Sequence, residues 1–193
     1  MRTPKYVKPV EQTELRDRCQ TVAVRYLTIV RHAKAEKESH DGSDFTRALN
    51  GRGRRQCEQL RAWASDANEL GQFGPTTALV SAAARTTETF RRAFEGTPFV
   101  TEYSESSLIY NGRRHVSAED VLIDLAAIDP VSTSLLVIGH NPTVLELLLT
   151  ITRDLPAEFV DEYPLAGAYV LELRENEPVG PGPYDFVQRY VPE

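Results

Sequence analysis

Arg31 and His32, Arg85, and His140 share one kind of position: each lies close after a short apolar run of β type. The runs are Tyr26-Leu27-Thr28-Ile29-Val30, Thr77-Ala78-Leu79-Val80 and Leu135-Leu136-Val137-Ile138. Arginine and histidine are expensive to bury at the end of a strand without a partner, so an anion is expected there. Phosphoryl transfer needs such a set, with a nucleophile in line with phosphorus and cationic donors on the equatorial oxygens. A neutral imidazole nitrogen is a competent nucleophile, and a phosphohistidine intermediate divides the reaction into two easier steps. His32 suits that role. Arg31 and Arg85 offer planar forks for phosphate oxygens, and His140, if protonated, adds a third donor. The amides that open the helix after Pro142 can reinforce the positive field.

These residues depend on the elements around them. β-Branched and aromatic residues in compact runs mark strands buried in a sheet. After the first run, residues 34–49 are charged and without apolar period, as in a surface loop. Asn50 is placed to cap a helix in which Cys57, Leu60, Trp63 and Ala64 form the apolar face and Arg52, Arg54, Arg55 and Arg61 the solvated one. The second run passes into SAAARTTETFRRAF, where Phe90 and Phe94 should face the core. Phe99 to Tyr103 reads as a short strand followed by the polar loop SESSLIYNGRR. Ser117 and Asp120 form a capping-box pattern ahead of Val121, Leu122, Leu125 and Ile128, and Asp129-Pro130 ends that helix. The third run leaves through Gly139, and Pro142 suits the first turn of the helix Val144 to Leu149. Gly167 to Leu173 and Phe186 to Val191 read as further strands, the last at an edge. Strands alternating with helices favour a mainly parallel sheet covered on both faces, with the three junctions at one edge.

Composition narrows the function. A chain of 193 residues with 41% hydrophobic content supports one well-filled core. We read residues 1–20 as an N-terminal extension with a weak helical possibility at Glu11 to Arg18, and residues 21–193 as one domain. A net charge of -6 argues against general nucleic-acid binding. No apolar run reaches the roughly 20 residues of a membrane span, and the first residues lack the apolar core of a secretory signal, so a cytoplasmic protein is expected. Cys19 and Cys57 have no metal-ligand or redox spacing and read as reduced thiols.

Four motifs occur here in the order seen in the histidine phosphatase superfamily, also called phosphoglycerate mutase-like. They are LTIVRHAKAE, D-x-x-R-x-L in SDFTRALNGRGRRQ, S-x-A-x-R-T-x-E-T in SAAARTTETF, and VIGHNP. Arg-His-Ala and the Gly-His-Asn-Pro ending most resemble the SixA-type phosphohistidine phosphatase branch, and the likeness runs from about residue 26 to about 150. The resemblance implies a three-layer α/β/α domain around a mixed, mostly parallel sheet, and hydrolysis without a metal or other cofactor. It matches Arg31 and Arg85 to the phosphate-binding arginines, His32 to the phosphorylated histidine and His140 to the second histidine, and it sets Arg47 near the pocket. The other reading of Arg47 with Asp44 is a surface ion pair.

Two departures stand out. Ala33 replaces the usual glycine, adding a methyl group where backbone can approach the ligand. Larger members protonate the leaving oxygen with a carboxylic acid; here no motif fixes one, although Glu102 and Glu105 fall in a suitable loop region. An alkoxide leaves badly without a proton, whereas a protonated imidazole departs as a neutral base, so the missing acid favours a phosphoramidate substrate.

Other residues receive bland readings. Glu88 braces its helix, Ser81 orders its turn because no G-x-S-x-G setting surrounds it, and Lys34 either steers anions or is solvated. His40 and His115 receive no role. The expected protein is a phosphatase acting through phospho-His32, with phosphorylated protein or a small phosphate ester as partner and neither nucleic acid nor membrane. The alternatives are a small-molecule phosphomonoesterase acting on a sugar or nucleotide phosphate, and a non-catalytic phosphate-recognition module.

Overall fold

The computed structural model describes residues 24–193 except 113, 157, 158, 160 and 161. The expected extension over residues 1–20, and Cys19 within it, lie outside the described residues.

The first apolar run becomes β1, Arg25–Arg31, and the second and third become β2, Thr76–Ser81, and β4, Ser134–Gly139. These three are the centre of a seven-stranded sheet in the order β3-β2-β4-β1-β6-β7-β5. The others are β3, Val100–Ser106, β5, Thr152–Arg153, β6, Ala168–Leu173, and β7, Tyr184–Tyr190. β1, β2, β3 and β4 run parallel, β6 is antiparallel to both β1 and β7, and β5 pairs parallel with β7. The expected mixed, mostly parallel α/β sheet is the one observed. β7 is not the edge strand expected, because β5 covers part of its outer side.

Continuous apolar runs are required where a strand is buried on both faces, and alternate residues here enter two cores. Leu27, Ile29, Leu135 and Val137 pack on one side with helices α3, Ala118–Ile128, and α4, Thr143–Ile151. Val30, Ala78, Val80, Leu136 and Ile138 pack on the other with α1, Gly51–Ser65, and α2, Ala84–Ala93. Both predicted caps form. Asn50 Oδ1 accepts from the amide of Gly53 at 2.9 Å, and Ser117 and Asp120 bond each other's backbone amides. Such caps satisfy amides that have no partner within the helix, at about 1 kcal/mol each. Phe90 and Phe94 are buried, as expected.

β3 departs from expectation. It continues past Tyr103 through Glu105 to Ser106, where a polar loop was read, because it is an edge strand bonded to β2 alone and its mid-strand side chains are exposed. An edge strand with so little burial carries no apolar alternation for the sequence to reveal.

Parallel pairing brings the exits of β1, β2 and β4 together. The amide of His32 bonds the carbonyl of Gly139 at 3.1 Å, tying the β1 exit to the β4 exit. β6 runs the opposite way, so the chain that enters it passes the same edge: Arg31 N bonds Gly167 O and Ala166 N bonds His32 O. The loop after β1 is clamped to α1. A Cβ on Gly53 would stand 2.1 Å from the carbonyl oxygen of Lys34, so only glycine permits this approach. Gln56 adds a side-chain clamp, its Oε1 accepting from Lys34 N at 3.0 Å.

Candidate active site

At this edge lies a pocket of about 270 Å³ lined by residues that include Arg31, His32, Arg85 and His140. Lys34, Ala35, Arg47, Asn111, Asn141 and Leu165 complete its wall. None of these ten is a carboxylate.

His32 is nearly buried, and its Nδ1 lies 2.8 Å from the carbonyl oxygen of Ala33. A carbonyl only accepts, so Nδ1 carries the proton and Nε2 keeps its lone pair. Arg85 agrees with that assignment, since its Nε donates to His32 Nε2 at 3.3 Å. Burial is the largest influence on this imidazole and drives its pKa down to about 3, with the Arg85, Arg31 and Arg47 charges adding to the fall and the Ala33 bond opposing it. At neutral pH His32 is therefore an uncharged imidazole whose lone pair is on Nε2.

His140 lies beside it, with ring centroids 5.1 Å apart. Its Nε2 is 2.8 Å from Ser81 Oγ, while its Nδ1 is buried without a partner. Burial, followed by the neighbouring His32 and Arg85, lowers its pKa to about 2. Burial, with Arg85 nearby, thus keeps His140 neutral in the free pocket, so the protonated state on which its role as a third donor was conditional is disfavoured there.

Arg31 gives Nη1 to the carbonyl of Tyr163 at 2.6 Å, and its Nε is buried with no partner. Burial lowers its pKa, opposed by Glu162. Arg85 is held from outside by one residue, donating Nη1 to the carbonyl of Asp44 at 2.7 Å and Nη2 to its Oδ2 at 3.0 Å. Asp44 Oδ2 also accepts from Tyr110 Oη at 2.9 Å, and Oδ1 accepts from Arg47 Nε at 2.7 Å. Desolvation pushes the Asp44 carboxyl up, but the bonds from Tyr110 and Arg47 and the charge of Arg85 outweigh it and hold the pKa at about 2. The two readings of Arg47 are both realised, for it pairs with Asp44 and lines the pocket.

Supporting contacts fix the backbone. Thr89 Oγ1 accepts from Ala33 N at 3.0 Å and donates to Arg85 O at 2.6 Å, locking the loop after His32 to α2. Ala33 is fully buried in the α1/α2 core and absent from the pocket wall, so the methyl group that replaces glycine faces away from the site. Glu88 braces, as expected, accepting from Leu49 N and pairing with Arg92. The exposed arginines of α1 do not line the pocket.

The carboxylates Glu102 and Glu105 do not reach it either. Glu105 pairs with Arg91 at 3.4 Å across the α2/β3 surface, and Glu102 sits at the register of Thr77, towards the opposite end of β2. Their placement in a pocket loop is corrected by the extension of β3. Sequence reasoning missed Asn111, Asn141, Leu165 and Tyr163. Only Asn141 had a local signal, its place beside His140. Among the described residues no group of three or more His, Cys, Asp or Glu side chains is placed to hold a metal ion, and no helix is long and apolar enough to cross a membrane.

Solved structures resemble this one over most of the chain. A protein named as the phosphohistidine phosphatase SixA of Agrobacterium tumefaciens superposes with a TM-score of 0.68 at 25% identity, covering 87% of this chain and 99% of that one. A SixA protein complexed with tungstate gives 0.65 at 20% identity over 85% and 95%. A phosphoserine phosphatase of Entamoeba histolytica gives 0.55 at 10% identity over 88% and 98%. No protein-family model and no curated protein matches the sequence. The fold is that of the phosphoglycerate mutase-like histidine phosphatases, and with the motifs at the three strand exits the chain is similar to members of that superfamily. Within that superfamily its likeness is to the SixA type.

Proposed function

We propose that this protein is a phosphatase that passes a phosphoryl group through His32, and that its substrate is phosphohistidine on a protein. One observation carries the reading. A nucleophilic Nε2 with its lone pair free of a proton shares a small pocket wall with Arg31 and His140, each of which keeps a buried nitrogen without a protein partner. Buried polar groups without partners are rare, and at a pocket wall they mark where a ligand's atoms belong. An oxyanion satisfies Arg31 Nε and takes Arg85 Nε away from the imidazole it now engages.

The chemistry follows from this geometry. Nε2 of His32 attacks phosphorus as the bond to the leaving group breaks, while Arg31 and Arg85 hold the equatorial oxygens. Water then attacks the phospho-His32, breaking the N–P bond and releasing inorganic phosphate with His32 regenerated. No carboxylate stands on the wall to protonate a leaving alkoxide. A leaving imidazole that arrives already protonated needs none, which supports a phosphoramidate over an alkyl ester. An open groove of about 930 Å³, bordered by Phe45, Leu108 and Tyr110, adjoins the pocket through Asn111 and gives room for a large leaving group. The cytoplasm is the proposed setting, where a buried thiol such as Cys57 stays reduced.

The test is direct. Incubation with an activated phosphodonor, followed by quenching, should leave acid-labile, alkali-stable phosphate on the wild type and none on His32→Ala. Phosphohistidine peptides should turn over faster than alkyl monoesters by about 10²-fold or more, the scale of a missing general acid. Equal rates on a sugar phosphate would overturn the substrate class, and a wild type that binds phosphate but turns over no donor would make the protein a phosphate-recognition module.

A further inference from the structure

Ser81 is the last residue of β2 and fully buried. Its hydroxyl lies 2.8 Å from Nε2 of His140, so one hydrogen bond joins the exit of β2 to the exit of β4. The bond can run in either direction, and the two directions leave different groups unsatisfied.

If the imidazole proton were on Nε2, the ring would donate to Ser81 Oγ. The serine proton would then need another acceptor, and among the described residues the hydroxyl bonds to nothing else. Nδ1 would at the same time be a buried acceptor with no donor. Two buried groups would go unmet. If Ser81 donates instead, both its proton and the Nε2 lone pair are satisfied, and the proton on Nδ1 and the Oγ lone pairs lack partners. The number of unmet sites is equal, but the first arrangement strands a proton on the fully buried Ser81, whereas the second strands it on a ring of the pocket wall, where a ligand oxygen can accept it, so the second is favoured.

The orphaned Nδ1 also has a use. Nδ1 belongs to a ring that lines the pocket, whose wall also includes Arg31 with its equally unpartnered Nε. We propose that Ser81 is a positioning residue: by donating to Nε2 it holds His140 as the Nδ1–H tautomer, so that an uncharged His140 offers a hydrogen-bond donor to an oxygen of the bound phosphoryl group. The second histidine thus contributes a donor without first acquiring a proton. The identity of the acceptor rests on the phosphatase reading; the tautomer does not.

Nitrogen-15 NMR of the full chain labelled in histidine tests this, because long-range proton–nitrogen correlations show which ring nitrogen is protonated. The signals of His140 are those lost in His140→Asn, and His32, whose Nδ1 bonds Ala33 O, serves as an internal Nδ1–H reference. The wild type at neutral pH should carry the His140 proton on Nδ1. Ser81→Ala should lose that preference and bind inorganic phosphate about tenfold more weakly, the loss of one charge-assisted hydrogen bond. Ser81→Thr, which keeps the hydroxyl, should restore both. A wild-type His140 protonated on Nε2 overturns the proposal, as does a tautomer unchanged in folded Ser81→Ala. The wild-type spectrum decides even if Ser81→Ala fails to fold. An Nδ1–H His140 in a protein that transfers no phosphoryl group would sink the phosphatase reading and leave the tautomer standing, whereas an Nε2–H His140 in an active enzyme would do the reverse.

Discussion

Arg85 directs its Nε at Nε2 of His32 across 3.3 Å while Asp44 holds both of its other nitrogens. A guanidinium has five N–H donors. Asp44 occupies the outer edge of the fork, so Nε is turned towards His32 and presented to whatever reaches it. In the proposed function the group that covers the lone pair in the free pocket is the one that takes a phosphoryl oxygen when one arrives.

Arg85→Lys should therefore be a severe change despite preserving charge. Lysine offers a point charge and cannot engage Asp44 and a phosphoryl oxygen together. We expect kcat to fall by about 10²–10³-fold, the range for loss of one preorganised donor to developing charge. Single-turnover kinetics checks this, and a loss under tenfold would show that the fork is dispensable.

Asp44→Asn should weaken catalysis without removing any group that touches phosphate. The amide cannot accept from Tyr110, Arg47 and Arg85 as the carboxylate does, so Arg85 loses its fixed orientation. A fall of about tenfold in kcat/KM is expected. The Asp44 pKa is depressed to about 2, so its stabilising effect is present above the ordinary carboxylate range and lost as pH falls through about 2. Because its side chain is half exposed, that contribution is screened to no more than about 1 kcal/mol. Chemical denaturation at pH 7 and pH 2.5 measures it.

Acid should destabilise the fold before the carboxylates titrate. His32 and His140 have pKa values of about 3 and about 2 in the folded protein, below the ordinary histidine value. As pH falls from about 6.5 the unfolded chain takes up these protons first, so stability is complete above that pH and lost below it, by up to about 1.4 kcal/mol per pH unit for each histidine. Urea midpoints should drop between pH 6.5 and pH 5, less steeply in His140→Asn. The rate should correspondingly show no acid limb near 6.5 arising from His32, and an inflection there that vanishes on changing another histidine would reassign it.

Glu102→Gln and Glu105→Gln should each leave kcat/KM within about twofold on every phosphate ester, since an exposed ion pair of the Glu105–Arg91 kind contributes little. A large loss in either variant would return a general acid to the site.

The elements that hold His32 were legible in the chain because their causes are local. Apolar runs placed β1, β2 and β4, and the positions of Arg31, His32, Arg85 and His140 at or just beyond strand exits follow from those runs and their parallel order. Asn50 and the Ser117–Asp120 box marked helix starts because a cap is a contact between neighbours in sequence. The rest was decided by distance in sequence. Leu165 and Tyr163 reach the site only because β6 is antiparallel to β1 and enters where β1 leaves. Asp44 grips Arg85 only because the loop before α1 folds back over the start of α2, where Ala84 N bonds Phe45 O at 2.9 Å. Glu102 and Glu105 looked like loop residues because an exposed edge strand leaves no apolar alternation. Residue type and local pattern thus determined which groups could do the chemistry, and tertiary structure decided which of them meet, since Arg85 reaches His32 from α2 and Ser81 reaches His140 from β2.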